Sequence, residues 1–165
     1  MGDVEIPALV KQIVRGLRGS AFLATVLATS FMAASHEKAI FPFDYKADYT
    51  DLMLFKAFLG SNIAASLYSF FFVCLPPKSL LWRLAIVLDV IMFGILAAMD
   101  SAAMAAAYLH KYGDSQALWP PICSQVPTYC YRVILAISMG FGGVFMFLLI
   151  IIFSISAILN PLILV

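Results

Sequence analysis

The sequence predicts an all-α fold, a four-transmembrane-helix bundle with a disulfide-pinned extracellular loop, and three observations carry that expectation. Of the 165 residues, 64% are hydrophobic and only 12% are charged, with a mean hydropathy of +1.01. A water-soluble domain cannot hide that much apolar surface. Four apolar runs each reach the roughly 20 residues that a bilayer crossing needs, and short polar or proline-bearing breaks separate them. Residues 1–165 therefore read as a single tetraspan membrane domain with no room for a separate soluble one. The formal net charge of +1 supplies no field for nucleic acid, so membrane lipids and other membrane proteins are the expected partners.

The first span is expected over 17–34, from Leu17 to Ala34, with Thr25, Thr29 and Ser30 inside it and no charge after Arg18. A polar head precedes it, which makes it a retained signal anchor rather than a cleaved signal peptide. His36, Glu37 and Lys38 end it. The second span, 52–75, closes at Pro76 and Pro77, which cannot continue a helix without losing hydrogen bonds that lipid does not replace. Its one charge, Lys56, lies within snorkelling reach of an end. The third, 84–109, holds Asp89, Asp100 and an alanine-rich centre, and it stops at His110, Lys111 and Gly113. The fourth, 133–159, begins near Val133 and stays apolar to Asn160 and Pro161, longer than a bilayer requires, so a tilt or a frayed end is expected.

Basic residues divide equally between the two sides, so two other features set the orientation. The connection from Pro76 to Arg83 carries two bases and no acid, whereas the one holding Asp44, Asp48 and Asp51 is acidic. Cys123 and Cys130 also favour an oxidising side. Together these place both termini in the cytoplasm.

Five groups of side chains invite a chemical reading. Cys123 and Cys130 share one polar loop, and their separation lets a turn bring the Cβ atoms within bonding distance. A disulfide is expected, against the alternative of two reduced thiols in a cytosolic loop. Cys74 reads as a free thiol, with palmitoylation as the other reading. Asp89 lies inside a span, where a carboxylate costs several kcal/mol unless it is paired, protonated or hydrated. Arg18 starts the first helix on the same side of the membrane and its guanidinium fork suits a carboxylate, so an intramembrane ion pair is expected; a proton or ion site is the alternative. Asp100 follows eleven residues later, three helical turns, on nearly the same face. Lys56 is its expected neutraliser, making Asp100 and Lys56 a second polar site. Ala98, Ala102 and Ala106 repeat small side chains at helical spacing, and Gly140 and Gly143 thin the fourth helix, so these positions are expected to pack helices.

No nucleophile stands with a base, no glycine-rich phosphate loop appears, and His36 and His110 sit at helix ends. No metal ligand set and no cofactor are expected, and the chain does not read as an enzyme.

The order of motifs resembles the plant Casparian strip membrane domain protein-like (CASP-like) family, tetraspan proteins related to the MARVEL group. The carriers are Leu17-Arg18 opening the first span, Tyr49 to Phe55 leading into the second, and Arg83 to Asp89 opening the third. Ser101 to Leu109 then leads into Lys111-Tyr112-Gly113-Asp114-Ser115, and Trp119-Pro120-Pro121-Ile122-Cys123 with Cys130 completes the series. The resemblance implies that Arg18 and Asp89 are the family's characteristic intramembrane pair. It also places Trp119 and the loop cysteines outside the cell, and it implies a plasma-membrane protein that forms homo- or hetero-oligomers with related tetraspan proteins. Casparian strip members form an immobile scaffold that guides local cell-wall lignification. This chain departs from the family pattern in the loop from Lys38 to Asp51, at Asp100, and in its uncharged C-terminus.

The expected function is a non-enzymatic membrane scaffold that self-associates into a plasma-membrane platform and recruits other proteins, cell-wall-modifying ones among them. The competing expectations are a small transporter or channel subunit using Asp89 and Asp100 as a polar track, and an accessory subunit of a larger membrane complex.

Overall fold

The computed structural model describes residues 8–39, 45–74, 79–114 and 120–159. Four helices dominate these residues: α1 (Ala8–Ala33), α2 (Met53–Cys74), α3 (Ser79–Tyr112) and α4 (Pro127–Leu159). All four are long and apolar enough to cross a membrane, over Leu9–Ala33, Met53–Cys74, Leu84–Tyr112 and Pro127–Ala157. Each helix packs against two neighbours, α1 on α4 and α2, α3 on α4 and α2. The bundle therefore closes in sequence order, with α1 and α3 facing each other across a diagonal. One end carries the start of α1 and the end of α4, the other the disulfide.

Lipid removes the usual contrast between an apolar inside and a polar outside, because the tails outside are as apolar as any core. α2 shows this most clearly. Its buried face holds Ser61, Asn62, Ala65, Ser66 and Ser69, whereas Leu67, Phe70 and Phe71 are exposed. Small side chains let the backbones approach, and their hydroxyls return to the helix's own carbonyls, as Ser61 does to Phe58 and Ser66 to Ile63.

The thin fourth helix has two seats. A Cβ at Gly143 would stand 2.9 Å from the Thr25 methyl on α1, and one at Gly140 would stand 2.5 Å from Asp100 Oδ2 on α3 and 2.9 Å from the Phe58 ring on α2. Gly142 has nothing within 4 Å. Gly140→Ala and Gly143→Ala are accordingly expected to destabilise by about 1–3 kcal/mol each through overpacking, with Gly142→Ala unaffected. Thermal unfolding in detergent checks this, and equal melting of all three variants would contradict it.

The alanine-rich centre of α3 packs differently from its sequence expectation. Ala98 is exposed and Ala102 only half-buried, while Ala103, Ala106 and Ala107 face inward. Alanines at spacings of three and four occur on more than one face of α3. The face turned inward is the one that also carries Ala85, Asp89, Leu96 and Asp100, all buried, because an intramembrane carboxylate must face protein rather than lipid.

Helix boundaries extend past the expected spans at several points. α1 begins at Ala8 because Val10 and Val14, one turn apart, are buried while Arg15 stays exposed, an amphipathic lead-in to the span. α4 begins at Pro127 rather than near Val133, proline being well suited to a first helical position. α3 runs on to Tyr112 and stops at Gly113, whose φ of 72° and amide bond to the Leu109 carbonyl, 2.8 Å, make a left-handed cap. Between α1 and α2 lies an antiparallel hairpin, β1 (His36–Ala39) paired with β2 (Tyr45–Asp48), His36 opposite Asp48.

Candidate functional site

The buried ion pair is built by all four helices. Arg18 projects from α1 across the diagonal to Asp89 on α3, its Nη1 donating to Oδ1 at 2.9 Å and its Nη2 to Oδ2 at 2.6 Å. The two parallel bonds fix the geometry as well as the charge. Tyr68 on α2 places its hydroxyl 2.7 Å from Asp89 Oδ1 and 3.1 Å from the Ala85 carbonyl; its single proton goes to the stronger acceptor, the carboxylate. The guanidinium lies 5.8 Å from the Tyr68 ring centroid and 5.3 Å from that of Phe72, within cation–π range. From α4, Phe147 closes the group, 6.1 Å from Tyr68 ring to ring. Arg18 is 5% exposed and Asp89 0%, so the charges neutralise each other rather than meeting solvent.

Asp100 is also fully buried, but its partner is not Lys56. Asn62 Nδ2 donates to Asp100 Oδ1 at 3.2 Å and to the Phe58 carbonyl at 3.0 Å, whereas Lys56 is exposed. Lys56 precedes Asn62 by six residues, which turns it to a different face of α2. The two acids do share the inward face of α3, yet Leu96, itself fully buried, stands between them. The stretch of that face joining them is apolar.

At the opposite end, Cys123 and Cys130 form a disulfide with Cα atoms 5.6 Å apart. Cys130 already belongs to α4, so the bridge pins the loop to a helix rather than closing a free loop. The amides of Ile122 and Cys123 donate to the His110 carbonyl at 3.0 and 3.3 Å, tying the same strap to the end of α3. His110 stacks edge-on against Phe55, 5.6 Å between centroids. Here β1 caps α4, and α4 in turn caps α1. Glu37 Oε2 accepts from the Tyr129 amide in the first turn of α4 at 2.8 Å, and Arg132 Nη1 donates to the Ala34 carbonyl just past the end of α1 at 2.7 Å. An anion at a helix N-terminus and a cation at a C-terminus both complement the helix dipole. Glu37→Ala is expected to cost about 1 kcal/mol and to speed hydrogen exchange at the Tyr129 amide, with Glu37→Gln intermediate; unchanged exchange in Glu37→Ala would refute the cap.

Cys74 is an exposed free thiol. Trp119 and the Pro76-Pro77-Lys78 stretch of sequence lie outside the described residues. Among the described residues no three His, Cys, Asp or Glu side chains gather as a metal site. Tyr68 belongs to the ion pair, Asn62 to the Asp100 site and Glu37 to the disulfide end, and none of the three has a motif to announce it. Asn62 alone had a usable signal, a strongly polar neutral side chain in the middle of an apolar run.

Residues 8–146 match the Casparian strip membrane protein domain. CASP-like protein 1C1 of Populus trichocarpa is 91% identical over 162 residues, covering 98% of this chain and 99% of that protein. CASP-like protein 1C1 of Arabidopsis thaliana is 39% identical over 146 residues, covering 88% of this chain and 89% of the other. A third relative, CASP-like protein 1C1 of Vitis vinifera, is 38% identical over 157 residues, covering 94% of each. No solved structure matches the chain.

Proposed function

The chain belongs to the Casparian strip membrane protein domain family, and from that premise we propose that it is a non-enzymatic scaffold which self-associates into a plasma-membrane platform and recruits other proteins, cell-wall-modifying ones among them. In this reading the termini face the cytoplasm, the disulfide end faces outward, and the other subunits are further copies or related tetraspan proteins. The observation that carries the proposal is the diagonal Arg18–Asp89 clamp, which draws on all four helices through Tyr68, Phe72 and Phe147. A clamp of this kind makes the bundle a fixed frame. A transport path would need polar groups along its depth, and the apolar Leu96 between Asp89 and Asp100 favours the frame over a conduit.

The test is lateral exchange. Fluorescently labelled protein in a plant plasma membrane is expected to recover slowly after photobleaching, and particles in nanodiscs are expected to be larger than one copy. Free exchange of single copies would refute the scaffold. Solute or proton flux in reconstituted vesicles that Asp100→Ala abolishes would favour a transporter or channel subunit, and co-purification at a fixed stoichiometry with an unrelated membrane complex would favour an accessory subunit.

A further inference from the structure

We propose that Asp100 is held as a neutral carboxylic acid, joined to the Asn62 amide by two complementary hydrogen bonds that lock α2 to α3 near the middle of the bilayer. The placement comes first. Asp100 lies near the centre of its span, Leu84–Tyr112, and Asn62 near the centre of Met53–Cys74, so bulk water is far from both. Each is 0% exposed.

Among the described residues, the surroundings offer a carboxylate no counter-charge. From α2 come the neutral Asn62 amide and the Phe58 ring, and from α4 comes Gly140, against whose bare Cα the carboxyl lies. α1 carries Thr25 alongside Gly143, with its hydroxyl bonded to its own helix. On α3 the nearest acid is Asp89, three turns away and engaged with Arg18, and Lys56 is exposed. A charge buried without a partner would cost several kcal/mol.

The hydrogen-bond ledger of the pair points to the same state. One Asn62 N–H donates to Asp100 Oδ1 and the other to the Phe58 carbonyl. That leaves two buried atoms without a donor, Asn62 Oδ1 and Asp100 Oδ2. A single proton on Oδ2, donated to Oδ1 of Asn62, satisfies both at once and completes an acid–amide pair. No other single proton does so, since Asn62 has already spent both of its own. Gly140 supplies the clearance that the inserted carboxyl needs, which is why α2, α3 and α4 converge on this point.

Infrared spectroscopy of the full-length protein in nanodiscs at neutral pH tests this. The wild type is expected to show a protonated-carboxyl stretching band that moves when aspartate is labelled with heavy carbon and that disappears in Asp100→Asn. In Asn62→Leu the band should shift to higher frequency as its hydrogen bonds are lost. Absence of the band from labelled wild type, which needs no variant to fold, overturns the proposal, as does a band that persists unchanged in Asp100→Asn. Thermal unfolding gives an independent arm. Asp100→Asn preserves the two-bond pattern and should melt close to wild type, whereas Asp100→Leu should melt lower; equal losses in the two variants would overturn the paired geometry.

Discussion

Asp89→Ala is expected to cost about 3–5 kcal/mol, because it strands the Arg18 guanidinium in a site that is 5% exposed and removes the acceptor of the Tyr68 hydroxyl. In cells that loss should appear as retention and degradation, and in detergent as a lower melting temperature. Arg18→Ala should be comparably damaging, leaving a carboxylate with only Tyr68 to bond it. Arg18→Lys should also fail to rescue, since an ammonium cannot make the parallel bonds at 2.9 and 2.6 Å or lie flat against Tyr68 and Phe72. Exchanging the two residues should restore part of the loss but not all of it, because Tyr68 would then face a cation rather than a carboxylate. Wild-type melting in either alanine variant would remove the clamp from the account of the fold.

Reducing the Cys123–Cys130 bridge, or replacing both residues by serine, is expected to cost about 2–3 kcal/mol for a loop this short, whose cysteines are 7 positions apart. The effect should be confined to one end of the bundle. The strap holds its place through the Ile122 and Cys123 amides on the His110 carbonyl and through buried Val126, so hydrogen exchange should quicken at those amides and in the first turn of α4. Exchange around Asp89, at the other end, should stay unchanged, and the costs of reduction and of Asp89→Ala should add, since distant sites without shared partners behave independently. A melting temperature indifferent to reductant would show that the strap is held by packing alone.

The ion pair was legible before any coordinates because the choice was small. A carboxylate at position 89 demands a cation at its own depth, and Arg18 was the natural one on that side of the membrane. Asp100 presented the same demand without the same narrowing. A neutral amide can answer a buried carboxyl as well as a lysine can, and hydropathy treats Asn62 as one polar residue among several. Lys56, near the end of its span, is exposed instead. The hairpin over His36–Asp48 gave no warning either, as four-residue strands of mixed polarity carry too short a pattern to separate from an irregular loop.

Sequence by itself determined the number of spans, their approximate limits, the cysteine pair and the partner of Asp89, because a bilayer leaves a long apolar run and an isolated intramembrane acid few ways to be satisfied. Tertiary structure decided which alanines of α3 turn inward, why Gly140 and Gly143 are glycines, and which group receives Asp100. Those outcomes depend on the rotation of each helix about its axis, and in a lipid environment that rotation is set by close packing and paired polar groups rather than by any contrast between apolar and polar faces that a sequence could display.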